Sequence, residues 1–145
     1  MGSTEAGSGE TFETVYGDVA AWVDDYFARV FGDSMGYRPG DQLNWCPEWW
    51  RHPSAVIRLD ALWQVWEAYR RNGGPGISAW FLDHADPHMR ALLDVNSPFR
   101  RCSIERGHRD TVALPTAAPD QRMFVSGDTT LRKRPDTAAP PDPRD

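Results

Sequence analysis

Cysteine and lysine are nearly missing from this sequence. Two cysteines, Cys46 and Cys102, stand in 145 residues, too few for the disulfide framework of a small secreted domain. Lys133 is the single lysine among 16 basic residues, a bias that reflects GC-rich coding more than function. No stretch reaches the ~18–20 consecutive apolar residues of a membrane span. The first ten residues have neither the basic nor the apolar segment of a signal peptide. The expected setting is therefore the cytoplasm, with both thiols reduced and no membrane partner. Charge of one sign is also modest. The net value is −5, acidic at the start and slightly basic at the end, unlike the strong basic patch of a dedicated nucleic-acid binder. Catalytic signatures are missing too: no Gly-x-Ser-x-Gly, no Gly-rich phosphate loop, no His-Glu-x-x-His. We assign no catalytic residue and expect a protein that is not an enzyme.

Aromatics are plentiful: seven Trp, six Phe and four Tyr. Each buries roughly 150–250 Å², enough to build the core of one domain without a metal. The hydrophobic spacing predicts a mainly α fold, a small domain of about four helices over residues 11–109. A flexible leader precedes it over residues 1–10 and a disordered, Pro-rich tail follows over 110–145. Phe12, Val15, Tyr16, Val19, Trp22, Val23, Tyr26, Phe27 and Val30 recur at helical steps; Thr11 would cap this helix and Gly32 end it. A loop with Gly36, Pro39 and Gly40 follows, then a short turn at Pro47.

The longest helix is expected from Pro53 to Asn72. It turns Val56, Leu59, Leu62, Trp63, Val65, Trp66 and Tyr69 inward and leaves Asp60, Gln64, Glu67 and Arg71 as a narrow polar stripe. Asn72-Gly73-Gly74-Pro75-Gly76 should stop it. Residues 77–84 read as a short helix capped by Ser78, and Asp86-Pro87 as the cap and first turn of another. After Asp110 come six of the twelve prolines, and the apolar content is too low to order the segment.

Cys46, His84, His88, Cys102 and His108 form the candidate metal set, because thiolate and imidazole are the usual tetrahedral zinc ligands. His84-x-x-x-His88 pairs two imidazoles if one helix carries both. Cys102-x5-His108 is one residue looser than common ligand pairs. Buried, unligated cysteines and a Cys46–Cys102 disulfide are the competing readings. Trp45, Trp49 and Trp50 could form an interaction platform or pin a loop to the core. Arg100, Arg101, Arg106 and Arg109 could touch phosphates or form a solvated basic loop. Asp83 and Asp86 are the acid/base candidates of a weaker reading, a metal-dependent enzyme.

Three stretches together, Trp45-Cys46-Pro47-Glu48-Trp49-Trp50, Asp83-His84-Ala85-Asp86-Pro87-His88, and Pro98-Phe99 with Cys102, resemble the actinobacterial family called domain of unknown function 4913. The resemblance covers roughly residues 40–108. It implies an accessory protein of plasmids, phages and conjugative elements, and brings no activity with it. Its motif includes the positions of Cys46, His84, His88 and Cys102. The expected function is a non-enzymatic accessory module of a mobile genetic element acting through another protein. The alternative is a small zinc-binding domain contacting nucleic acid through its Arg-rich loop.

Overall fold

Residues 12–124 are described by the computed structural model. The expected leader over 1–10 and the expected tail beyond residue 124 lie outside the described residues. The chain divides into two units between Thr111 and Val112. In the second unit the described residues, 112–124, are exposed and hold one 3-10 turn, Gln121–Met123, in which the Arg122 amide donates to the Asp120 carboxylate. The helices and the core belong to the first unit.

The first unit is mainly helical, and no β-strand occurs among the described residues. Its helical segments in chain order are α1 (Val19–Trp22), α2 (Ala28–Ser34), α3 (Pro53–Tyr69), α4 (Gly73–Ala79) and α5 (Asp86–Leu93). Only α3 and α5 reach eight residues, so two regular α-helices replace the four expected. Wider π turns interrupt the rest, at Val23–Phe27 and Trp80–Ala85. Pro87 gives a reason for the second: it has no N–H, and its ring would press on the carbonyl four residues back. A wider turn before it relieves that contact. The Asp86 amide accordingly reaches back five residues to Phe81. Asp86 and Ser78 therefore lie inside one continuous helical path, and neither caps a helix.

Helix starts shift for similar local reasons. The first helix starts at Val19, where Asp18 caps it by accepting from the Ala21 amide at 2.8 Å; Thr11, the expected cap, lies outside the described residues. The residues before Asp18 are held otherwise: both Glu67 carboxylate oxygens accept from the Val15 amide at 2.9 Å. Glu67 is thus buried, not part of a solvated stripe, and Arg70 Nε lies 3.6 Å from it. At the other end the helix runs past Gly32. Gly36 takes φ 61° while Tyr37 donates to Gly32 and Gly36 to Asp33, the paired bonds that close a helix around a left-handed glycine.

α3 is central and packs against α1, α4, α5 and the second π turn. Trp22, Phe27, Leu59, Leu62, Trp80, Leu92 and Phe99 are fully buried around it. The Trp80 indole N–H donates to the Leu62 carbonyl at 3.0 Å, so this fully buried tryptophan is both packed and satisfied. The Gly-rich stretch stops the central helix as expected: α3 ends at Tyr69, a 3-10 turn runs on to Asn72, and a separate helix, α4, starts at Gly73. Gly73 supplies φ 62° at this junction. At Gly76 a Cβ would lie 2.0 Å from the Tyr69 carbonyl oxygen, so only glycine allows α4 to cross the end of α3. No helix among the described residues is long and apolar enough to cross a membrane.

Candidate metal centre

Pro47 and the residues after it fold into a turn and a short 3-10 segment, Trp49–Arg51, that delivers His52 to the start of α3. At the far end of the sequence, the loop after α5 closes on itself. Ser103 and Gly107 exchange backbone bonds at 3.2 and 2.8 Å, with Gly107 at φ 77°. This tight turn brings His108 back beside Cys102. The two turns face each other, and Cys46, His52, Cys102 and His108 converge. One ligand atom from each lies within 4.8 Å of every other.

Three sulfur–nitrogen edges of this cluster have lengths that suit a metal. Zn–S near ~2.3 Å and Zn–N near ~2.0–2.1 Å at tetrahedral angles put sulfur and nitrogen about 3.6 Å apart. Cys46 Sγ to His108 Nδ1 is 3.5 Å, Cys102 Sγ to His52 Nε2 is 3.4 Å, and Cys102 Sγ to His108 Nδ1 is 3.9 Å. Both cysteines are buried free thiols, not a disulfide.

The outer groups fit the same chemistry. His108 turns Nδ1 to the sulfurs and donates Nε2–H to Asp110 at 2.8 Å, the carboxylate–imidazole pairing that orients metal-bound histidine. The Arg109 amide donates to Cys102 Sγ at 3.2 Å. His52 presents Nε2, while its buried Nδ1 has no protein partner. Its ring is held by packing instead, edge-on to Phe99 and His108 at 5.1 and 4.7 Å. Burial, then the neighbouring His108 and Arg51, hold the His52 imidazole below its usual range, which favours the neutral form that ligates metals. Burial first, and then the Cys102 thiol, push the Cys46 thiol up to about 11. A bound cation reverses that balance and draws the proton off.

The sequence named three of these four residues, Cys46, Cys102 and His108. His84 and His88 stand elsewhere. His84 Nε2 shares a hydrogen bond with the Tyr69 hydroxyl at 3.3 Å, and Arg58 donates to His88 Nδ1 at 3.2 Å. The reason is the helical winding of the returning segment. It sets His84 against Tyr69, the last residue of α3, about 24 Å along the helix from its first residue at 1.5 Å per residue. His52, read from the sequence as a helix boundary, completes the candidate set with Cys46, Cys102 and His108. One signal could have found it: Cys46-x5-His52 and Cys102-x5-His108 repeat the same spacing.

The other named residues divide clearly. Trp45 and Trp49 pack into the core, Trp45 edge-on to Phe99 at 5.1 Å. Trp50 points out, 59% exposed. Arg100, Arg101, Arg106 and Arg109 are exposed and line a shallow hollow with Asp110. Asp83 and Asp86 are exposed and outside the metal cluster.

The model of the family described as domain of unknown function DUF4913 matches residues 16–121, well over half of the chain, and the chain belongs to that family. No curated protein and no solved structure matches it.

Proposed function

We propose that this member of the DUF4913 family is a non-enzymatic zinc-binding domain, in which the metal fastens the arginine-bearing loop after α5 to the start of α3. The convergence of two Cys-x5-His turns on one point carries this reading. A closed Cys2His2 set leaves no position open for substrate, the mark of structural rather than catalytic zinc. The arginines of the fastened loop favour an anionic partner.

The wider reading, an accessory protein of a mobile element working through protein contacts, rests on the family resemblance and one separate observation. That is an apolar hollow of about 160 Å³ lined by Phe27, Phe31, Met35, Leu43, Trp45 and Met89 among others.

Metal analysis of untagged protein purified with reductant tests the zinc reading. One equivalent of zinc is expected, replaceable by cobalt(II) with thiolate-to-cobalt absorption and tetrahedral d–d bands. Cys102→Ser and His52→Ala should lose that spectrum, and His84→Ala should keep it. Loss with His84→Ala and retention with His52→Ala would overturn the assignment.

A further inference from the structure

Beside the metal centre lies a surface that the metal itself does not need. Arg100, Arg101, Arg106 and Arg109 have no carboxylate within salt-bridge distance among the described residues; Arg51 reaches Asp110 at 3.4 Å and Glu48 at 3.5 Å. Residues 48–51 and 100–110 thus carry five arginines against three carboxylates, Glu48, Glu105 and Asp110, in a chain whose net charge is −5. Of the carboxylates, Asp110 is taken by His108 and Arg51, and Glu48 by Arg51. Arg106 Nε meets Ser103 Oγ at 3.3 Å, and Arg109 Nη1 meets the His108 carbonyl at 3.1 Å. These bonds fix guanidinium groups before any ligand arrives, which lowers the ordering cost of binding.

Trp50 is the second element. Of seven tryptophans it alone falls in the exposed class. It precedes Arg51, whose guanidinium reaches the rim of the arginine hollow at Asp110. An exposed indole one residue before a planar, phosphate-matching cation is the chemistry of base stacking with backbone capture.

We propose that Trp50, Arg51 and the arginines of residues 100–109 form a binding surface for single-stranded nucleic acid. The bases stack on Trp50 and the phosphates pair with the guanidinium groups. Duplex DNA fits less well. A major-groove reader presents a basic helix, whereas α5 carries only Arg90 and the basic residue of the first turns of α3, Arg58, is engaged with His88. The proposal rests on the zinc reading to the extent that the metal holds the loop against Trp50 and Arg51.

The test is fluorescence anisotropy of zinc-loaded full-length protein with a labelled oligothymidylate of about twelve nucleotides. Three to four phosphate contacts predict a roughly 20- to 50-fold loss of affinity between about 50 and 200 mM salt. Trp50→Ala should weaken binding about 5- to 150-fold, and quenching of indole emission on binding should fall with it. The double variant Arg100→Gln/Arg101→Gln should flatten the salt dependence. These positions are exposed, and an unchanged zinc content checks that each variant is folded. Full zinc content without oligonucleotide binding overturns this proposal alone, as does tighter binding to a duplex of equal length or equal binding to polyglutamate. Wild-type binding by a zinc-free Cys102→Ser variant would instead overturn the zinc dependence and leave the surface intact.

Discussion

Controlling free zinc should move the thermal stability of this domain by an amount the geometry lets one calculate. Three sulfur–nitrogen edges of the ligand cluster are 3.4 to 3.9 Å against about 3.6 Å for a tetrahedral zinc site, and all four ligand atoms lie within 4.8 Å of one another, so binding requires little rearrangement of the folded chain. His52 and Cys102 are 50 residues apart in sequence, so the unfolded chain does not hold the four ligands together. Zinc therefore binds the folded state preferentially. Free zinc at 100 times its Kd then adds about 2.7 kcal/mol, and each further tenfold about 1.4 kcal/mol. At about 4–8 °C per kcal/mol for a domain of this size, the first step raises Tm by roughly 10–20 °C. The assay is thermal unfolding followed by circular dichroism, with reductant present and free zinc set by a chelator buffer. Cys46→Ser should unfold at one temperature throughout the series. If wild type were equally indifferent to zinc, the reasoning from ligand geometry would be wrong.

Two further outcomes follow from the fold. Gly76→Ala should destabilise by about 3 kcal/mol or more, because its Cβ would sit 2.0 Å from backbone that cannot move aside. Gly74→Ala, with open space around it, should change stability by less than about 1 kcal/mol; urea midpoints compare the two. His88 is held below its ordinary value of 6.5 by burial, then by Arg58 and His84. The unfolded chain therefore takes up its proton first. Stability should be full above pH 6.5 and fall as pH drops below it. In zinc-free protein, His88→Gln should reduce that fall without abolishing it, since His52 is depressed in the same direction; an unchanged pH slope would count against the argument.

The helical class and the dominant central helix were legible because periodicity reports burial directly. Leu59, Leu62 and Trp66 are buried in α3 as the spacing indicated. The number of helices was not legible. Pro87 read as a break, yet a π turn lets the helical path continue into α5; the Gly73–Gly76 stretch did stop α3, but it opens α4 where a loop was expected. Glu67 was misplaced because a polar residue in the right register looks solvated until its long-range partner, the Val15 amide, is known. At the metal centre, ligand types were readable and ligand partners were not. His84 and His88 matched a familiar local spacing, while His52 owed its place to a turn that only tertiary packing brings opposite Cys102.

The equal division of the four ligands has a consequence for synthesis. One sulfur and one nitrogen precede α3, and the other pair follows α5. A chain emerging from the ribosome offers only half a site until His108 is clear, when the residues of α1 to α5 have all been synthesised. On the proposed zinc reading, metal capture would then act as a checkpoint on completeness. A chain broken between Leu93 and Cys102 leaves each fragment with one thiol and one imidazole, too few to keep zinc, and a single backbone cut there separates intact molecules from damaged ones by their metal content.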